Sequence, residues 1–171
     1  SLLPDGSYNL PTYKLFDFSP EFKTNYLPFT IELGRSVVNR DAKRAILGLW
    51  IVWSGLGALI VEHPHIKYFY GKFTMYTDFN REAREILFSF LYKYFPDPEQ
   101  LVFPRPGYKV DTLPENSQYK TLFQGAGYKE DYSLLLQELK KRGEVIPPLV
   151  ISYLGLTDSM KTFGTAVNPG F

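Results

Sequence analysis

Thr30-Ile31-Glu32-Leu33-Gly34-Arg35-Ser36-Val37-Val38 is followed by Asn39-Arg40-Asp41-Ala42-Lys43-Arg44 and then by Ala45-Ile46-Leu47-Gly48-Leu49-Trp50-Ile51-Val52-Trp53-Ser54-Gly55-Leu56-Gly57-Ala58-Leu59-Ile60-Val61. The first run favours a strand. Alternation along it puts Glu32, Gly34 and Ser36 on one face and Leu33 and Arg35 on the other. A carboxylate in such apolar company must be paired, hydrogen-bonded or functional. The third run is 17 residues without a charge, somewhat short of the roughly 20 that span a bilayer. Gly48, Gly55 and Gly57 suit close packing, so a buried crossover helix is expected there rather than a membrane span.

Downstream, Ile66-Lys67-Tyr68-Phe69-Tyr70-Gly71-Lys72-Phe73-Thr74-Met75 is aromatic and predicts a second strand, with a bulge at Gly71. Asp78 or Asn80 is placed to cap a helix in which Ala83, Ile86, Leu87, Phe90, Leu91, Tyr94 and Phe95 recur at helical spacing. Pro96, Pro98, Pro104 and Pro106 end it and predict a long loop to about Gly127, where function can reside. A further helix from Asp131 should turn Tyr132, Leu135, Leu136 and Leu139 inward, with Lys140, Lys141 and Arg142 in its last turn, Gly143 as its cap, and a short helix from Pro147 and Pro148 after it. Residues 1–27 read as an irregular arm with a short helix near Ser19 to Tyr26, and residues 162–171 as a strand and turn that a continuation would extend. There is no internal repeat. Strand, helix, strand, helix is an α/β pattern, and a right-handed crossover makes the strands at Thr30 and Ile66 parallel neighbours.

Composition narrows the function classes. The 171 residues suit one domain with a real core, and 44% hydrophobic with 22% charged is ordinary for a folded chain. A net charge of +1 gives no general attraction to nucleic acid. The absence of cysteine excludes disulfides, thiol nucleophiles and thiolate metal sites, and is compatible with the cytoplasm. His63-Pro64-His65 lacks an acidic or cysteine cluster near it in sequence, so no metal is expected. Gly55-Leu56-Gly57 lacks the third glycine of a dinucleotide fingerprint, and Ser152 and Ser159 lack a nucleophile elbow. The first residue is not Met, and residues 1–27 carry no signal-peptide pattern, so a fragment of a longer chain is one reading. Aromatic residues make up 17%, which fits either dense aromatic packing or a large apolar cleft.

Four blocks taken in order, Glu32-Leu33-Gly34-Arg35-Ser36, Trp53-Ser54-Gly55-Leu56-Gly57-Ala58-Leu59, Lys67-Tyr68-Phe69-Tyr70-Gly71-Lys72 and Ile146-Pro147-Pro148-Leu149-Val150, resemble the hemolysin-named branch of the GNAT superfamily. That branch is similar to the ornithine-lipid and glycine-lipid N-acyltransferases. The resemblance runs from about Phe16 to Phe171. It implies an α/β (α+β) GNAT-like, acyl-CoA N-acyltransferase fold, a mixed sheet flanked by helices. Family members are longer at both ends, so residues 1–171 would be a single GNAT-like domain, an interior portion of such a protein or a shortened relative, with an incomplete copy of the fold.

The activity the resemblance implies is transfer of a fatty acyl group from acyl carrier protein to the amine of an amino acid or amino-acid lipid, as in ornithine-lipid or glycine-lipid biosynthesis. An amine is protonated near neutral pH, so a positioned carboxylate has to remove a proton before attack on the thioester. Glu32 is the candidate, with Arg35 beside it. Backbone N–H groups would stabilise the oxyanion, and in GNAT folds they come from the strand corresponding to Glu32 through Val38, here Ser36, Val37 and Val38. That strand splays from its neighbour to admit a pantetheine arm. The usual Gln/Arg-x-x-Gly-x-Gly/Ala pyrophosphate loop is missing after Val38. Arg40, Lys43 and Arg44 stand in its place and suit the single phosphate of a phosphopantetheine thioester, or acidic carrier-protein side chains, better than acyl-CoA.

Phe69, Tyr70 and Phe73 are the candidates to line an acyl-chain tunnel, since each buried methylene contributes about 0.8 kcal/mol. Expected partners are acyl carrier protein and an amino-acid or lyso-lipid substrate, with peripheral contact to the inner membrane face from the cytoplasm and no nucleic acid. Competing readings are a structural Glu32–Arg35 ion pair, a solvated basic loop, and plain core packing of the aromatics. At the level of function they are a non-catalytic GNAT-like module that binds a carrier protein or membrane, and a membrane-active hemolysin.

Overall fold

The structure is a computed structural model that describes residues 9–34, 45–110, 117–125 and 127–170, without the side chains of 45–50. It is a mixed α+β chain whose strands are β1 (Phe16–Phe18), β2 (Thr30–Leu33), β3 (Tyr68–Gly71) and β4 (Val102–Pro104). Its helices are α1 (Ala45–Glu62), α2 (Arg81–Tyr94), α3 (Tyr128–Lys141) and α4 (Pro148–Leu154). Two compact units form: Ser1–Tyr13 with Ser19–Lys72, and Lys14–Phe18 with Phe73–Phe171. Each holds one two-stranded sheet among the described residues, in place of the single mixed sheet expected.

In the first unit β2 and β3 pair in parallel, Thr30 with Tyr68, Ile31 with Phe69, Glu32 with Tyr70 and Leu33 with Gly71. A parallel pair needs a crossover, and α1 provides it. The strand–helix–strand reading therefore holds here, although both strands are shorter than expected. Gly71 pairs in register at the end of β3 and makes no bulge. Within these four pairs the strands do not separate. Ahead of β2 the arm is more regular than expected. It forms a 3-10 turn at Pro11–Lys14, a π-helical turn at Phe22–Tyr26 and a 3-10 turn at Leu27–Phe29.

The buried crossover helix requires a correction. Ile51 is 71% exposed and Val61 81%, and Val52 and Ile60 are exposed as well. Ile51 and Ile60 lie nine residues apart, half a turn out of phase, so the helix shows apolar groups on opposite sides. A two-stranded, four-residue ladder has too little surface to cover a helix that is apolar all round. Among the described residues no helix is long and apolar enough to cross a membrane.

The second unit is built on α2 and α3. Ala83, Ile86, Leu87, Phe90 and Leu91 from α2 pack with Leu135 and Leu139 from α3, Ile146, and Val150 from α4. Of the two capping candidates Asn80 is used: its side-chain oxygen accepts from the Ala83 N–H at 3.1 Å. Helix α3 ends as its sequence predicts. Gly143 takes a positive φ of 75°, its N–H donates to the Lys140 carbonyl, and the next N–H, of Glu144, reaches back to Leu139, a paired C-terminal closure that favours glycine. Leu136, expected inward, is exposed. The α3 stripe that meets the core is narrower than expected and is carried by Leu135 and Leu139 with partly buried Tyr132.

The long proline-punctuated loop hides β4, which pairs antiparallel with β1. A three-residue strand that ends on a proline is too short for alternation to declare it. The C-terminal segment is extended rather than a full strand. Gly164 donates to the Val102 carbonyl, Val167 to Tyr108, and Ala166 bridges Lys109.

Candidate functional site

Parallel register decides which side chains share a face. Glu32 on β2 stands opposite Tyr70 on β3, and the period of two along β3 adds Tyr68 and, just past the strand end, Lys72 to that side. Ile31, Leu33 and Phe69 take the other side. The Glu32 face is aromatic. The buried Tyr70 ring meets Phe22 edge-on at 5.9 Å, Phe22 stacks on Tyr26 at 5.8 Å, and Tyr26 lies 5.2 Å from Tyr68. Four rings, Phe22, Tyr26, Tyr68 and Tyr70, thus form one connected aromatic cluster on this unit.

The carboxylate itself is asymmetric. Its side chain is 8% exposed. The Thr12 hydroxyl donates to Oε1 at 2.5 Å, and the Lys72 ammonium lies 3.7 Å from the same oxygen. Oε2 is shut off from solvent and makes no hydrogen bond of ordinary length, with the Tyr70 phenol interacting with the same carboxylate from the paired strand. Buried polar atoms are nearly always satisfied, so a vacant carboxylate oxygen asks for a reason. Lys72 is itself 37% exposed, and an ion pair so long and so open to water contributes little stability. The neighbouring Tyr70 phenol has its pKa pushed far above the ordinary tyrosine value, by burial first and then by the Glu32 charge, with Thr12 acting in the opposite direction. It therefore stays protonated, and a donor, throughout the working pH range.

Of the expected site residues Glu32 lies on β2 opposite Tyr70, its side chain largely covered. Arg35, Ser36, Val37, Val38, Arg40, Lys43 and Arg44 lie outside the described residues. Tyr70 shares the Glu32 face, whereas Phe69 points to the other side of β3, and Phe73 packs against the core of the second unit. His63 and His65 sit ring to ring at 5.8 Å, and no group of three or more metal-ligating side chains occurs among the described residues. Two members of the Glu32 cluster escaped the sequence reading. Lys72 was legible, since it follows Tyr70 by two on a strand that must pair with β2. Thr12 was not, because nothing in the sequence brings a residue twenty positions upstream, in an apparently irregular arm, against Glu32.

The chain is 41% identical to a protein of Phocaeicola vulgatus and 43% identical to one of Bacteroides thetaiotaomicron, each named glycine N(alpha)-acyltransferase. Each alignment takes in 97% of this chain, and 52% and 50% of the respective relative. The chain thus spans about half the length of the curated relatives it matches. No family model matches it, and no solved structure does.

Proposed function

We propose that this chain is the part of an amino-acid N-acyltransferase that carries its catalytic base, within a GNAT-like fold, and that the acceptor is glycine or a related amino acid or amino-acid lipid. The observation that carries the reading is the 41–43% identity along 97% of the chain to two proteins named glycine N(alpha)-acyltransferase. The geometry of Glu32 supports it chemically. A carboxylate with one oxygen left to accept a proton can deprotonate an ammonium that reaches it.

The reaction then runs as follows. The substrate ammonium gives a proton to Glu32, and its nitrogen attacks the carbonyl carbon of a fatty acyl thioester. The C–N bond forms, the oxyanion is held by the N–H groups of Ser36, Val37 and Val38, and the C–S bond breaks as the nitrogen gives its second proton to the departing thiolate. Arg35 orients the acceptor carboxylate. The donor is acyl carrier protein, its phosphopantetheine phosphate met by Arg40, Lys43 and Arg44. Tyr70 and the rings beside it receive the proximal part of the acyl chain, and the membrane face is where the amphipathic product leaves.

The test is acylation of glycine and of ornithine derivatives by the protein at its natural full length, with purified acyl carrier protein charged with a long-chain acyl group. Wild type should form the amide, and Glu32→Gln should lose about 100-fold or more in turnover. Absence of amide formation with every amine tried refutes the transferase reading, and unchanged turnover in Glu32→Gln removes Glu32 from the chemistry.

A further inference from the structure

We infer that Thr12 is a positioning residue for the Glu32 carboxylate, tying down Oε1 so that Oε2 is the single oxygen that accepts the amine proton. The inference rests on the reading of Glu32 as the base. A hydroxyl has one proton to give, and that of Thr12 goes to Oε1 at 2.5 Å. Thr12 is 4% exposed, so its hydroxyl has little access to water as an alternative acceptor.

Its position is set by the backbone. Thr12 stands in the 3-10 turn Pro11–Lys14, closed by the Tyr13 N–H on the Leu10 carbonyl at 3.0 Å and entered through Pro11, whose ring fixes φ. Lys72 leans toward the same Oε1 from the other strand. Both interactions fall on one oxygen, and the other, buried, keeps its lone pairs. A carboxylate held in this way cannot spin to exchange its oxygens without breaking the Thr12 bond. The vacant lone pair therefore keeps one direction, and reaction rates are sensitive to displacements of that size. A purely structural threonine would instead be expected to bond a backbone carbonyl or a carboxylate whose second oxygen is also satisfied.

The experiment compares Thr12→Val, which keeps the shape and removes the hydroxyl, with Thr12→Ser, which keeps the hydroxyl. Both are made alone and in the Glu32→Gln background, in the full-length protein with acyl-carrier-protein thioester and glycine. Thr12→Val should lower kcat by about 10- to 100-fold while KM for glycine changes by less than about 3-fold. Thr12→Ser should recover kcat to within about 3-fold of wild type, so that fold and melting temperature are controlled by a variant that keeps the bond. Combined with Glu32→Gln, Thr12→Val should add almost nothing, because its effect passes through a carboxylate that is no longer there.

Wild-type kcat in Thr12→Val, failure of serine to restore it, or losses that multiply in the double variant would each overturn the role of Thr12 while leaving Glu32 as base. Wild-type turnover in Glu32→Gln alone would overturn the underlying reading instead.

Discussion

Asp131→Asn tests how the second unit is held together. Asp131 is 1% exposed, at the first turn of α3. Its Oδ2 accepts from Lys93 Nζ at 2.5 Å and from the Tyr94 hydroxyl at 2.7 Å, and its Oδ1 accepts from the Gly125 N–H at 2.9 Å. One carboxylate therefore pins α3 to the last turn of α2 and to the loop before α3. Burial alone would push its pKa up, but the donors from Lys93, Tyr94 and Gly125 outweigh burial and hold it below the ordinary carboxylate value. Asparagine has the same outline, yet it must put an NH2 where one oxygen was, facing either the Gly125 N–H or the Lys93 ammonium. Tyr94 can turn its hydroxyl to accept. Lys93, half exposed, keeps the Phe123 carbonyl at 2.7 Å and gains water, which lowers the cost.

One charge-assisted bond lost and one donor mismatched amount to about 2–4 kcal/mol, or a fall of about 6–12 °C in Tm at roughly 3 °C per kcal/mol for a chain of this size. The pH dependence has a fixed sign. A carboxyl lowered in the folded state contributes stability above its unfolded pKa of about 4 and loses it as pH falls through the folded value. Thermal melts followed by circular dichroism should show a gap between wild type and variant that is flat above about pH 5 and narrows below about pH 4. A Tm change under about 2 °C, or a gap that does not narrow in acid, would refute the account.

Asn80→Ala removes the cap that receives the Ala83 N–H and should cost about 1 kcal/mol, read as a shift in the urea midpoint, with Asn80→Ser recovering most of it. Gly164→Ala would set a Cβ 2.6 Å from Pro104 Cδ and 3.1 Å from Phe103 Cα, pushing the C-terminal segment off β4. It should cost about 1–3 kcal/mol in the same denaturation assay, whereas Gly57→Ala in α1, with nothing within 4 Å, should cost nothing.

Along α2 and at the end of α3 a local signal was sufficient. The apolar repeat from Ala83 to Phe95, the Asn80 cap and the positive-φ Gly143 are decided by neighbours within one or two helical turns, and the structure has them where those neighbours put them. The same is true of the parallel partnership of the strands around Thr30 and Tyr68, since a crossover helix between two β-favouring runs leaves few alternatives. Sequence alone did not show that α1 stands exposed, because an apolar run has the same composition whether or not anything covers it. Nor did it reveal β4, whose partner β1 lies more than eighty residues upstream.

The candidate site divides along the same line. That Glu32 is a carboxylate needing a reason followed from its neighbours in the chain. That Thr12 and Lys72 both engage Oε1 and leave Oε2 vacant depends on an arm folded back over twenty residues and on strand register. Hydrogen bonds between distant residues have no period, and it is the tertiary structure that decides which oxygen of a carboxylate is left without one.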